Sequence, residues 1–453
     1  VLAVPASAAD RLWVGMHDDP GFRWEPNRAE MLDRAANANV NLIRAIVTWR
    51  DVAPTRPRRP ADPFAPEYRL DDLDELIRNA QARGMEVLLS IWGTPTWANG
   101  GKGPAWMPRR LSDLTNFARA IARRYSGRYP GYPAVNFYSV WNESNLDLFL
   151  SPQFDAKGRS VGPRNYAKLY AAAYKGIKAG NPKAKVAIGE TSSHGLDHAV
   201  KGKSGRHSPG RFAELVAKAN PRLKFDAWGH HPYPTPVWMK PTQTVRWPNV
   251  TLTSLERFGT SLDRWFKRKN IPIWITEYGH ETRPGEPKGV TEAQQARYVK
   301  QAFSLVKKAP RVEMFVWFIF QDTKTSTWQS GLYRLNGTAK RARNAFRAAA
   351  RPLDARNPVV RVKAGRTPVV QLSTRSFGAV NRPGATIGVR WTAQSARTIA
   401  ATGQYAAKLG RDGWITVRLT GLVPRKGRTY RVNVTAEDYS KNEVYRTVTV
   451  IGT

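Results

Sequence analysis

Two glutamates stand where apolar, tryptophan-flanked segments end. One is Glu143, in Tyr138-Ser-Val-Trp-Asn-Glu143; the other is Glu277, in Trp274-Ile-Thr-Glu-Tyr-Gly279. Glutamate rarely closes an apolar run unless it is paired or functional. Two carboxyl groups facing each other across a cleft are the equipment for cleaving a glycosidic bond. One, protonated, donates to the leaving oxygen; the other, ionised, attacks the anomeric carbon or activates water. Such a pair works only if the fold brings the ends of two distant segments together.

The chain can supply that fold. Its 453 residues, 41% of them hydrophobic, suffice for a sizeable core and two domains. Apolar runs at 12–16, 41–47, 86–91, 135–140, 185–188, 225–229, 273–276 and 312–318 read as strands. Amphipathic helical spacing covers 28–38, 70–80, 111–125, 164–179, 211–219, 252–269 and 292–308. Eight strands alternating with helices predict a (β/α)8 barrel over 10–350. A doubly wound open sheet is the competing fold. It usually carries a glycine-rich phosphate turn after its first strand, and Met16-His-Asp-Asp-Pro20 is not one. From 351 to 453 the pattern changes to alternating segments, at 359–363, 386–391, 414–419, 430–436 and 444–450, which predict a small β-sandwich domain. In a (β/α)8 barrel the chemistry sits at the C-terminal strand ends, where the fourth strand presents Glu143 and the seventh Glu277.

Bulk properties narrow the partners. The 72 Lys and Arg against 35 Asp and Glu give a net charge of +37, spread over both halves of the chain. That balance favours an anionic glycan or cell surface, or else reflects adaptation of the whole protein. With no cysteine, disulfides and thiol chemistry are excluded. No apolar run is long enough to span a bilayer. Residues 1–9 resemble the tail of a signal peptide, ending in the small-x-small pattern Ala6-Ser-Ala8, so a secreted or cell-surface enzyme is expected.

Trp141-Asn142-Glu143 and Ile275-Thr-Glu277-Tyr-Gly279 resemble the fourth- and seventh-strand motifs of glycoside hydrolase clan A, particularly families 5 and 39. The resemblance implies a retaining mechanism with Glu143 as acid/base, Glu277 as nucleophile and Asn142 on the sugar 2-hydroxyl. It extends to Arg44, which would steady the nucleophile, and to His231-Pro-Tyr233, whose tyrosine would donate to it. Trp317 on the eighth strand is similar to the tryptophan that floors the sugar site, and Gly93-Thr-Pro-Thr-Trp97 and Gln329-Ser-Gly-Leu-Tyr-Arg-Leu-Asn-Gly337 share the family's look. Arg44 and Tyr233 would hold Glu277 as an anion, and the enclosed Glu143, facing a second carboxylate, would keep its proton.

Trp92, Trp97 and Trp328 are candidate sugar platforms, with core packing the competing role for each. His194 and His198 stand at i, i+4 but lack a third ligand and a helical setting, so no metal is expected. Asp18, Asp19, Glu190 and Glu281, near other strand ends, would either bind substrate hydroxyls or be solvated. No dinucleotide or phosphate-loop fingerprint occurs; the expectation is no cofactor, no nucleic acid partner and a monomer. The predicted activity is endo-hydrolysis of a polysaccharide by double displacement, or transglycosylation from the same site. The alternative is a non-catalytic glycan- or surface-binding protein on a barrel scaffold.

Overall fold

A computed structural model describes residues 11–200, 205–324, 328–373, 384–396, 398–410, 414–439 and 443–453. The signal-like residues 1–9 lie outside them. Eight parallel strands pair in sequence order and close on themselves: β1 Trp13–His17, β2 Leu42–Thr48, β3 Glu86–Trp92, β4 Phe137–Val140, β5 Lys185–Ser192, β6 Ala227–His231, β7 Ile273–Ile275 and β8 Val312–Phe318, the last returning to β1. Every helix expected between them forms, within a few residues at either end.

The side-chain period of two explains why the strands read as unbroken apolar runs. Leu42, Leu88, Phe137, Ala187, Ala227, Trp274, Met314 and Val316 point inward and fill the barrel's lower interior with Trp13. Their neighbours Ile43, Ala45, Leu89, Phe315 and Trp317 point outward, into the core shared with the helices. Going up the barrel the interior turns polar. Arg44 Nε donates to Ser90 Oγ (2.9 Å), which is 2.7 Å from Ser139 Oγ.

One further helix, Arg341–Ala350, follows β8. It has a single large apolar residue, Phe346, which it buries with Ala342 and Ala345, so its periodicity is faint in the sequence.

The C-terminal part contains β9 Val359–Val362, β10 Val369–Ser373, β11 Thr386–Ser395, β12 Thr398–Lys408, β13 Trp414–Arg418, β14 Thr429–Glu437 and β15 Glu443–Gly452. They form a five-stranded sheet in the order β12-β11-β14-β15-β9 and a two-stranded sheet β10-β13. Val370, Val389, Trp391, Ile415, Val434 and Val448 meet in one core between the sheets, which makes the pair a β-sandwich. β10 and β12 go beyond the expected strands. In β12, Ala, Gly and Thr alternate with few large side chains, and the signal for a strand is weak.

A buried ion cluster joins this part to the N-terminal ends of β1 to β3. Asp354 accepts from Asn41 Nδ2 (2.9 Å), pairs with Arg356 (2.6 Å) and lies 3.8 Å from Arg446. Arg356 Nη1 also donates to the Gly84 carbonyl (2.7 Å), and Asn357 Oδ1 accepts from the Thr447 amide (3.0 Å). Burial alone would raise the Asp354 pKa, but Arg356 and then Arg446 outweigh it and bring it to about 2. A depressed carboxylate stabilises above its unfolded pKa, so this contribution should fade as pH falls from about 4 towards 2. Asp354→Asn should cost roughly 3–5 kcal/mol by urea denaturation near neutral pH, since it leaves two guanidinium groups buried against each other. A loss below about 1 kcal/mol would contradict the assignment.

Among the described residues, no helix is long and apolar enough to cross a membrane.

Candidate active site

Glu143 is placed by a constrained turn after β4. Trp141 and Glu143 have positive φ, 79° and 36°, which β-carbon-bearing residues rarely adopt and which the flanking contacts must hold. Trp141 is fully buried and its Nε1 donates to the Phe149 carbonyl (2.6 Å). Ser144 Oγ donates to the Gly189 carbonyl (2.5 Å), and Gln153 Nε2 to the Ser144 carbonyl (2.9 Å). With the residues on either side pinned, the Glu143 carboxyl projects into the barrel mouth, where His231 Nδ1 lies 3.1 Å from its Oε1.

Glu277 follows β7 and is the more heavily bonded of the two. Its Oε1 accepts from Arg44 Nη1 (2.5 Å) and lies 3.6 Å from His17 Nδ1. Its Oε2 accepts from Tyr233 Oη (3.4 Å) and lies 3.6 Å from His231 Nδ1. Burial opposes its ionisation, but the charges of His231 and Arg44 and the nearby His17 prevail. They hold Glu277 as an anion, well below the usual carboxylate range. One carboxylate oxygen of Glu143 and one of Glu277 lie within 4.8 Å of each other.

A third carboxylate lies beneath this pair. Glu190, on β5 and fully buried, accepts from Arg44 Nη2 (3.1 Å) and Thr276 Oγ1 (2.9 Å) and is 3.4 Å from His231 Nε2. Gly229 on β6 makes room for it: a β-carbon there would fall 1.9 Å from Glu190 Oε1. Arg44 therefore spans Glu277, Glu190 and the Oδ1 of Asn142 (2.9 Å), and the Asn142 amide nitrogen is left as its donor towards the cleft.

His231 sits among all three glutamates. Burial would lower its pKa, but Glu277, Glu143 and Glu190 together raise it to about 9, so the ring is an imidazolium at neutral pH. A raised histidine stabilises fully below its unfolded pKa near 6.5 and loses that contribution as pH rises through about 9. The amount is on the order of 3 kcal/mol. The thermal midpoint should therefore fall between about pH 7 and pH 9.5, and Glu190→Gln should shrink that fall. A midpoint flat over this range would refute the charged imidazolium. Glu143, His231 and Glu277 could together present three ligand atoms to a metal ion, but a protonated imidazole offers it no lone pair.

The residues expected at the site separate into two groups. Arg44, Asn142, Glu143, His231, Tyr233 and Glu277 converge on it, and Trp328 lines the cleft with its ring edge-on to Tyr233 (5.2 Å). Trp317, Trp92 and Trp97 do not line it. Trp317 is one residue out of register: it points outward onto Phe346 and donates Nε1 to the Ser330 carbonyl (2.9 Å), while Phe318 takes the inward position, 5.0 Å from the His17 ring. Trp92 is an inner layer behind Phe149 (5.7 Å). Trp97 is packed edge-on to Trp49, covered by the Arg56 guanidinium and bonded through Nε1 to the Ala53 carbonyl (2.8 Å).

Of the acidic group, Asp18 accepts from the Gly21, Phe320 and Gln321 amides, Asp19 pairs with Arg23, and Glu281 accepts from the Gln329 amide. All three are buried, neither solvated nor in the cleft. His17, Phe318 and Trp238 complete the cleft, and Glu190 its base, without having been expected in these roles. β1 runs one residue past its predicted end, which brings in His17. β5 runs four residues past, through a shift of register between Ile188 and Thr191, and so carries Glu190 inward.

The cleft at the C-terminal end of the barrel holds about 750 Å³. The chain is similar to known proteins. The model for cellulase (glycosyl hydrolase family 5) matches residues 7–321. No curated protein matches the chain in sequence. Among solved structures, a family 39 glycoside hydrolase from the gut symbiont Bacteroides cellulosilyticus WH2 is similar at TM-score 0.56 and 16% identity, over 91% of this chain and 80% of that one. GH5_18 from Streptomyces cattleya, in complex with GlcNAc, gives 0.55 and 15%, over 78% and 85%. The GH39 enzyme from Xanthomonas axonopodis pv. citri gives 0.52 and 15%, over 92% and 93%. At such identities the likeness is one of fold, and the sequence match to the family carries the assignment. With that match running over most of the barrel, the chain belongs to glycosyl hydrolase family 5 and is a glycosidase.

Proposed function

We propose that the chain hydrolyses a β-glycoside with retention of configuration, Glu277 acting as nucleophile and Glu143 as acid/base. The distance between the two carboxylates carries this reading. Retaining enzymes hold theirs about 5–5.5 Å apart, while inverting ones need about 6.5–9.5 Å to admit a water. Glu143 and Glu277 each bring one oxygen within 4.8 Å of the other's, which favours the retaining separation.

The surroundings of Glu277 suit its role. Glu277, ionised and aligned by Arg44 and Tyr233, attacks the anomeric carbon. Glu143, facing Glu277 across the cleft, serves as the proton donor to the departing oxygen, with His231 Nδ1 3.1 Å from the carboxylate that is left. In the second step the same carboxylate takes a proton from water, which attacks the glycosyl–Glu277 ester from the same face. Asn142, anchored through its Oδ1, is left to hold a hydroxyl beside the reacting carbon.

The expectation of an anionic polysaccharide cut internally has less to support it. Among the described residues no Lys or Arg lines the cleft, although the chain has 72 of them. A neutral sugar suits such walls better. NMR of the first-formed product anomer tests the mechanism: the β-anomer is expected from a β-glycoside, and the α-anomer would refute double displacement.

A further inference from the structure

The residues around the cleft divide by chemistry. His17, Asn142, Glu143, Tyr233 and Glu277, with Phe318 and Trp328, surround the point of cleavage. Two loops supply most of the rest of the lining. The loop after β4 brings Leu146, Leu148 and Phe149; the loop after β6 brings Pro236, Val237 and Trp238. Leu148 is 71% exposed and Trp238 41%. Single exposed apolar residues are ordinary, but six apolar residues from two loops gathered on one cavity are not. Apart from the groups at the cleavage point and His194, which already contacts Arg206 (3.2 Å), the described lining has no charged or amide side chain. Its hydroxyls are those of Ser192, Ser193 and Thr235.

Such walls are a poor seat for another sugar. A pyranose brings several hydroxyls, and each one buried without a partner costs about 1–3 kcal/mol. Trp238 could stack on one sugar face, but Leu146, Leu148 and Val237 offer only hydrocarbon. These two loops also lie on a definite side of the bond to be cut. The proton donor Glu143 belongs to the β4 loop, and the proton goes to the glycosidic oxygen, so the leaving group departs past that loop. Phe318, the last residue of β8, and Trp328, beyond it, are left to bound the sugar that becomes attached to Glu277.

We propose that the leaving-group side of the cleft is an apolar subsite, and that the substrate is a neutral β-glycoside whose aglycone is a hydrocarbon, not a further sugar. This rests on the retaining reading above and adds the substrate class to it.

A ladder of n-alkyl β-glycosides, methyl to octyl, tests the subsite with leaving-group acidity nearly constant. Glucosides, galactosides, mannosides and xylosides are assayed, all below micelle-forming concentrations. For the sugar that is accepted, kcat/KM should rise roughly two- to fourfold per methylene over the first few carbons, and at least about tenfold from methyl to octyl. The 2-phenylethyl glycoside separates the two sources of an apolar aglycone: it outruns the octyl glycoside if the subsite is built for a ring and trails it if built for a chain. Trp238→Ala and Leu148→Asn should each pull the octyl-to-methyl ratio towards one. A flat ladder in the wild type, or an oligosaccharide of the same sugar cleaved with higher kcat/KM than the octyl glycoside, overturns the proposal. Labelling of Glu277 by an activated 2-fluoroglycoside keeps the two readings apart. Labelling with a flat ladder defeats only the apolar subsite; absence of both labelling and turnover defeats the mechanism and the subsite together.

Discussion

Glu277→Gln should lower kcat by ~10⁴-fold or more, because it removes the group that forms the covalent intermediate. The amide is nearly isosteric and can still accept from Tyr233, so the loss reports chemistry and not the shape of the site. The substitution also removes the negative charge that does most to hold His231 protonated. The imidazole pKa should therefore drop from about 9 towards neutrality, visible by NMR of the ring protons. In the unmodified enzyme a 2-fluoroglycoside with a good leaving group should esterify Glu277, and peptide mass mapping should find the added sugar there. Undiminished turnover in the Gln variant, or labelling at another carboxylate, would remove Glu277 from the role.

Glu143→Ala should produce a different failure, since the residue serves both steps in opposite senses. An aryl glycoside with an acidic phenol needs no proton to depart, so Glu277 should still be glycosylated at a useful rate. The second step loses its general base and should slow by about 10²–10⁴-fold, leaving a burst of phenol followed by a slow steady state. Azide needs no base and can occupy the space the side chain vacates; it should restore turnover and release a β-glycosyl azide. An alkyl glycoside, which requires the proton, should scarcely react. An α-azide product, or equal losses on acidic and non-acidic leaving groups, would show that Glu143 does not act in both directions.

How much of this the sequence discloses depends on how local each feature is. The eight strands are legible because parallel strands buried on both faces make dense apolar runs, and the two glutamates stand out because they end such runs. Arg44 and Tyr233 are legible only through the resemblance to the clan A motifs. The tryptophans are less legible. Trp317 and Phe318 are adjacent, and only the barrel's register decides which one faces the cavity; Met314 and Val316 point inward, so Phe318 does too. Trp92 and Trp97 lie near a strand end, as a platform would, yet their indole N–H groups are taken by the Phe149 and Ala53 carbonyls, partners that no pattern of spacing announces. Glu190 depends on a local change of register in β5 and on the missing β-carbon of Gly229, a residue of the neighbouring strand. Features that need two strands to be in register at once are those that a linear reading leaves out.

The ion cluster around Asp354 also bears on how the protein can be divided. By sequence, the C-terminal sheets look like an interchangeable module attached to a self-sufficient barrel. Yet Asp354, Arg356 and Arg446 bind to one another and to Asn41 and Gly84, beside the barrel's own strands, at the end opposite the cleft. Cutting the chain after the barrel would strip Asn41 of the Asp354 carboxylate, leaving its amide the Leu12 carbonyl (3.3 Å), and should open the ends of β1 to β3 to water. The two halves should therefore melt as a single cooperative unit, with one calorimetric transition in place of two, and two separate transitions would contradict it.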